Sequence, residues 1–400
     1  VTAAVLDRTE KNKAIAASLK ATRERRKNQT CKVFELKVQS NKLSATQREA
    51  LFMLFVEAKW LYNDCLASEL DPWNYTPGTT VTVKTKDGEF EERTLNHLGS
   101  QMKQSVIAGI TSSIRTLASL KKKGKKVGGL KFRSRYNSID LKQYGGTHKL
   151  RGSKVKIQNV PGWLRVHGTE QLDDYELANA KLINKPDGYY LKVTAFIDSS
   201  KAVQHVFDHN SVIGIDMGVK THITTSNGDE FNVTVGETDR LKRLQRKLSR
   251  QESGSNNRNK TRQKIGVEYQ KMDRRKDELA NQIVSELLAY EVVVFQDDNI
   301  SGWKNRKGWV KAGRRLQHSV LGRVKSKLKR HPRTVMLARF EPTTQRCGEC
   351  GAKTKHDLSQ RNFVCSVCGF TEPRDKHAAR MMIVIASELG ALPEHVIPPD

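Results

Sequence analysis

Four cysteines and a few carboxylates are the residues of this chain best suited to chemistry. Cys347 and Cys350 form one CxxC pair, Cys365 and Cys368 a second, and fourteen residues separate them. Each pair is followed by glycine, Gly351 and Gly369, which permits the tight turn of a knuckle. Four thiolates at this spacing fit tetrahedral Zn2+, so a zinc ribbon is expected. Such a closed site leaves no open position for water, so it would stabilise a fold without doing chemistry. His356, between the pairs, reads as a loop residue. The other two cysteines, Cys31 and Cys65, stand alone. This is a metal pattern in a reducing compartment, not a disulfide framework.

The carboxylates are more scattered. Asp216 ends an apolar strand in IGIDMG, a common placement for a metal ligand. Asp375 stands at the start of a helix in PRDKHAAR, where an N-cap is the alternative reading. Gln296 ends the strand VVVFQ, and Asp297 and Asp298 follow it. Phosphodiester cleavage with two metal ions needs about three carboxylates converging on ions ~4 Å apart. The sequence offers Asp216 and Asp375, with an amide where a third carboxylate would sit. Asp297 cannot simply substitute, because adjacent strand residues point to opposite faces.

The charge narrows the partners. Lys and Arg number 71 against 43 Asp and Glu in 400 residues, a formal net charge of +28. Such an excess repels itself unless a polyanion neutralises it, and nucleic acid is the polyanion that Lys and Arg bind through phosphate. The charge is also clustered. Residues 121–135 hold eight basic residues and no acid: Lys121, Lys122, Lys123, Lys125, Lys126, Lys131, Arg133 and Arg135. Residues 241–275 hold twelve against three acids, among them Lys242, Arg243, Arg246, Lys247 and Arg250. Residues 304–333 hold twelve and no acid, including Arg314 and Arg315. That last stretch, with Trp303 and Trp309, reads as a lid that feeds single-stranded DNA, its aromatics stacking on bases or simply buried. No run of 18 apolar residues appears, so no membrane partner is expected. The N-terminal residues also lack the apolar core of a signal peptide.

These residues need elements to hold them. Residues 1–29 read as a basic, solvated arm. A strand is expected over 30–38, then a helix after Ser44, whose N-cap has Gln47 three residues on. Its apolar face is Leu51, Leu54, Phe55, Ala58 and Leu61, with Trp60 and Tyr62 as core residues. A loop or hairpin follows over 71–92, then a second helix over 95–120. Short strands between 139 and 197 suggest a β-barrel-like domain with helices inserted between its strands. From residue 211 a buried strand ends at Asp216 and a hairpin turns at Asn227–Gly228. Basic helices fill 238–289, interrupted near 251–259. Strands over 290–296 and 334–340, the cysteine module and a helix from Asp375 complete an α+β chain.

The motifs IGIDMGVK, VVVFQDDNISGW, PTTQRCGECG…FVCSVCGF and RDKHAAR, in this order, resemble the second half of TnpB, the transposon-encoded relative of type V CRISPR effectors. GGLKFRSR and PGWLRVHG resemble the family's first half less sharply. The resemblance implies a multidomain fold: a wedge (OB-like) barrel over 30–210 with a helical recognition insert over about 44–135, an RNase H-like RuvC domain over 211–340, the zinc ribbon over 341–370, and a RuvC C-terminal part over 371–400. It implies an endonuclease that cuts guide-matched DNA beside a short flanking motif. Mg2+ would be held by Asp216 and Asp375, and Gln296 would stand where the family has its catalytic Glu. Implied partners are a guide RNA and target double-stranded DNA, bound by a monomeric protein in a cytoplasmic, nucleoid-associated ribonucleoprotein of a prokaryote. Tyr62 and Asn63 are candidates to face the flanking-motif duplex.

Gln296 weakens the expected chemistry, because an amide lacks the charge of a good ligand. Two explanations stand: an isosteric change that traps a substrate complex, which the otherwise intact motifs favour, or a natural guided binder that does not cut. On the first, Gln296→Glu restores cleavage.

Overall fold

A computed structural model describes residues 2–68, 70–85, 87–201, 209–303, 310–355, 357 and 360–396. The chain divides into two compact units, 1–203 and 204–400.

The first unit opens with helix α1 (Thr2–Lys27), where a solvated arm was expected. Its Ala, Lys, Arg and Glu residues are good helix formers with no sustained apolar stripe, so it is helical, and its side chains from residue 12 onward are largely exposed. Strand β1 (Gln29–Val38) follows. Helix α2 (Ala45–Ala67) starts at the expected capping box: Ser44 accepts from the Gln47 N–H, and the Gln47 side chain accepts from the Ser44 N–H. Strands β2 (Thr80–Lys84) and β3 (Phe90–Thr94) form the expected hairpin, and helix α3 spans Ser100–Lys122.

Strands β4 (Ser138–Leu141), β5 (His148–Arg151), β6 (Lys154–Ile157), β7 (Leu164–His167), β8 (Glu176–Lys185) and β9 (Gly188–Asp198) join β1 in a seven-stranded, nearly closed antiparallel sheet. Its order is β4-β8-β9-β1-β7-β6-β5. The helices are not a separate lobe. Leu51, Leu54, Leu61, Met102 and Ile110 share one apolar core with Leu36, Leu141, Leu164 and Leu191 of the sheet.

The second unit is built on strands β10 (His209–Met217), β11 (Ile223–Thr225), β12 (Glu230–Phe231), β13 (Tyr290–Gln296) and β14 (Thr334–Leu337), in the order β12-β11-β10-β13-β14. The β11–β12 turn passes through Gly228 at φ +99°, as the Asn-Gly pair predicts. Two basic helices, α4 (Asp239–Ser249) and α5 (Asn256–Leu287), carry the crossover from β10 to its parallel neighbour β13. Short helices α6 (Ile300–Trp303), α7 (Val310–His318) and α8 (Leu321–Leu328) precede β14. Strands β15 (Asn362–Val364) and β16 (Thr371–Pro373) belong to the cysteine module, and helix α9 (Arg374–Glu388) follows it.

Strand alternation sorts this sheet into two faces. Ile213, Ile215, Met217, Val293 and Phe295 pack against α5 and α8. Val212, Val292 and Val294 pack against Met381, Met382 and Ile385 of α9. Among the described residues no helix is long and apolar enough to cross a membrane.

Candidate metal centres and basic surfaces

Asp216 and Gln296 continue the rows Val212–Gly214–Asp216 and Val292–Val294–Gln296, so both lie on the sheet face that α9 covers. The parallel register pairs Ile215 with Phe295, which sets Asp216 beside Gln296 at the same end of the sheet. Gly214 brings the helix in. A Cβ there would stand 2.0 Å from the Ala379 carbonyl oxygen, so only glycine lets α9 lie on β10. Asp375 is one helical turn before Ala379 and is thereby delivered towards Asp216. It is not an N-cap: Pro373 holds that position, and no side chain caps the helix there.

Burial pushes the Asp216 carboxyl up to about 7, helped by the Asp375 and Asp298 carboxylates and opposed by Arg374. Asp298 is likewise pushed up to about 6 by burial, with Asp297 adding to it and Lys325 and Arg339 opposing it. Asp297 differs from both. Its carboxylate accepts a 2.6 Å hydrogen bond from Lys325 Nζ, with Arg339 3.6 Å away, and its pKa is lowered. As the strand alternation requires, Asp297 belongs to another set of contacts. Gln296, only 8 % exposed, donates from Nε2 to the carbonyls of Ala338 and Glu341, both at 3.0 Å. Asp216, Asp298 and Asp375 are hard oxygen donors, and the repulsion that Asp375 and Asp298 exert on Asp216 is one that a divalent cation would relieve.

The cysteines form the one group, among the described residues, in which three or more possible ligand atoms lie within 4.8 Å of one another. Cys347 Sγ is 3.7 Å from Cys368 Sγ, and Cys350 Sγ is 3.5 Å from Cys365 Sγ. Gly351 and Gly369, at φ +72° and +74°, make the knuckle turns. The Cys368 and Val367 N–H groups hold the Cys365 thiol down at about 6. Four soft donors at this spacing can hold a metal ion such as zinc. His356 lies outside the described residues.

The module is fastened to α9. His377, fully buried, bonds through Nε2 to the Arg346 carbonyl at 2.9 Å and stacks on Phe363 at 3.9 Å. Arg380 pairs with Glu349 and Glu372, and Arg346 pairs with Glu388. The helix that carries Asp375 is thus braced by the cysteine fold.

Residues 196–294 match the OrfB_IS605 family, described as a probable transposase, and residues 318–382 match the Cas12f1-like TNB domain. The second half of the chain is thus similar to these two families. A Streptomyces pristinaespiralis protein named "Putative RNA-guided DNA endonuclease" is 26% identical over 47% of this chain and 48% of its own length. "Putative RNA-guided DNA endonuclease InsQ" of Escherichia coli K12 is 28% identical over 59% of this chain and 63% of its own length. The match therefore spans about half to under two thirds of those relatives. A solved Cas12f1–sgRNA–target DNA complex covers 89% of this chain and 99% of its own, at 12% identity and a TM-score of 0.45.

The basic segments of the chain divide by partner. Lys121, Lys122, Lys123, Lys125, Lys126, Lys131 and Arg135 are exposed and make no ion pair among the described residues. Arg133 is held: it lies over the Tyr62 ring at 4.1 Å, and Asn63 both donates to its carbonyl and accepts from its N–H. Tyr62 is 3 % exposed, so Tyr62 and Asn63 anchor the basic segment instead of facing a duplex. Arg243, Arg246 and Lys247 are exposed on α4 and Arg250 at its C-cap, and Lys242 pairs with Asp239.

The stretch 304–333 is less free than its composition suggests. Arg323 pairs with Asp273 and Asp277, Lys325 with Asp297, and Arg333 donates to the Leu288 and Tyr290 carbonyls. Arg315 is exposed and Trp303 packs partly against the core. Residues 304–309, Trp309 among them, and the Arg314 side chain lie outside the described residues.

Sequence reasoning passed over another basic face. Lys149, Arg151, Lys154, Lys156 and Arg165 are exposed on β5–β7, with Lys149 opposite Lys156, Arg151 opposite Lys154, and Lys154 opposite Arg165. Directly opposed like charges destabilise a sheet, so a polyanion is their natural complement. Basic residues at every second position in HKLR and KVKI were the available signal.

Proposed function

We propose that this chain is an RNA-guided DNA endonuclease of the TnpB type whose cutting is impaired by Gln296 at the position of the family's catalytic Glu. Its second unit reads as an RNase H-like RuvC domain over 211–340 and 371–400, with a zinc ribbon over 341–370. Its first reads as a wedge-type barrel with a helical insert, preceded by the arm over 1–29. The observation that supports the reading is that Gly214 lets α9 lie on β10, so that Asp375 acts electrostatically on Asp216 from the opposite end of the second unit's sequence. Mg2+, when bound, would supply a water-activating and charge-neutralising centre. Asp216 and Asp375 would hold it, and Asp298 offers a third carboxylate beside them. The exposed cations of 121–135, Arg243, Arg246 and Lys247 of α4 and the cations of β5–β7 would track the phosphates of a guide RNA and target DNA, for which their lack of acidic partners among the described residues suits them.

The test is cleavage of guide-matched double-stranded DNA with Mg2+, by protein purified with its own RNA, against Asp375→Ala. Cutting by the unaltered protein alone supports the reading. A second reading, a natural guided DNA binder that does not cut, is favoured by the commitment of the Gln296 amide to main-chain carbonyls. Sequence-matched binding without cleavage would support it. Absence of any bound RNA of defined sequence would defeat both.

A further inference from the structure

Gln296 stands where a ligand is expected, yet its contacts are those of a fastening. One nitrogen reaches two carbonyl oxygens, of Ala338 and Glu341, each at 3.0 Å. Those carbonyls can only accept, so the atom facing them must be the donor, and the amide orientation is fixed by its partners. The side chain is 8 % exposed, so water does not readily replace it. The turn it holds begins where β14 ends at Leu337, and it leads within a few residues to Cys347. The same turn is tied to the end of β13 by Asp297 N–H donating to the Leu337 carbonyl at 3.0 Å and by Arg339 Nε donating to the Asp297 carbonyl at 3.0 Å.

We propose that Gln296 is a positioning residue: its amide latches the 338–341 turn, and with it the entry to the cysteine module, to the end of β13. A carboxylate cannot do this. It has no donor for the two carbonyls and would set negative charge against them. Gln296→Glu therefore unfastens the turn instead of supplying a ligand. The description of this position as a would-be ligand rests on the nuclease reading above, whereas the latch is read from the hydrogen bonds alone.

The experiment compares amide hydrogen exchange over 338–347 in the full-length protein with its bound RNA and in its Gln296→Glu and Gln296→Met variants, at neutral pH. Met keeps the length, lacks both donor and charge, and carries the test if the Glu variant does not fold. Both variants should exchange about tenfold faster in this segment, the effect of losing a buried hydrogen-bond donor. Wild-type protection in both variants would overturn the proposal. So would wild-type protection in Gln296→Glu together with tighter Mn2+ binding by spin-resonance titration, because residue 296 would then be a ligand. Cleavage is assayed separately, so a chain that never cuts defeats the nuclease reading and leaves the exchange result standing.

Discussion

The cysteine module and the carboxylate face hold their donors by opposite means. All four thiols come from one short stretch, and two glycine knuckles turn each pair inward before any long-range packing is needed. The carboxylates come from β10, the exit of β13 and the first turn of α9, and Asp375 acts on Asp216 only because a helix lies close on a strand. A locally encoded site should fail all at once when a donor is lost. A site assembled by packing should fail by degrees as its supports shift.

The largest effect should follow the loss of a thiol. Cys350→Ala should abolish metal retention at the module, forfeiting metal-binding free energy on the order of 10 kcal/mol. Zinc analysis of the purified protein reads the loss directly. Because Arg346, Phe363 and Glu349 would lose their places, amides along α9 should also exchange faster. If α9 stays protected, the cysteine fold does not brace it, and the two sites are independent.

Next is Gly214→Ala, which leaves every donor in place. The added methyl would overlap the Ala379 carbonyl, so α9 must retreat, at about 3 kcal/mol of stability. Asp375 should then perturb Asp216 less, and cleavage should fall while zinc content stays at the wild-type level. A variant as stable as wild type by denaturant unfolding would show that the close approach does not assemble this face.

The two regions also differ in how far they can be read from sequence. The CxxC spacing and the Ser44–Gln47 box are local, and each took the shape its residues predict. The faces of the second sheet were legible too, since IGIDM and VVVFQ alternate in register. What escaped was tertiary. IGID contains Gly214, but only the distance to Ala379 says why a side chain is forbidden there. Nothing in VFQDDN tells that Asp297 turns to Lys325 or that Gln296 serves two carbonyls. The cations of 304–333 look alike in sequence, yet Arg323, Lys325 and Arg333 have internal partners that arrive from α5 and β13. Composition can count charges; which of them remain for a polyanion is decided by packing.

Acidity should sharpen the contrast without any mutation. Asp216 and Asp298 have folded pKa values near 7 and 6, above those of an unfolded chain, so the folded state binds more protons between them. Stability without divalent ions should therefore be highest in mild acid and decline as pH rises through these values. Solvent reaches both groups, so about 2 kcal/mol is a discounted figure for the pair. Added Mg2+ should recover stability at neutral pH, and Asp216→Asn should flatten the decline. A metal-free protein equally stable at pH 5 and pH 8 would mean that burial does not hold these two carboxyls above their ordinary range.

The smallest effect probes the joint between the two regions. His377 is neither a thiol nor a carboxylate of the face, but it lies two residues from Asp375 and bonds to the main chain of Arg346 next to Cys347. Its ring also stacks on Phe363, so His377→Phe keeps an aromatic in that place and removes the hydrogen bond. The expected cost is about 1 kcal/mol, with zinc retained. Loss of the bond should loosen the first turn of α9 more than its last, since Arg346–Glu388 still secures the far end. Exchange at 375–379 should therefore rise above exchange at 384–388. Uniform loosening along the helix would mean that the module grips α9 as a whole. No loosening would mean that the stacking on Phe363 and the Arg380 ion pairs keep Asp375 in position without the His377 hydrogen bond, and that this bond is not what links the local site to the assembled one.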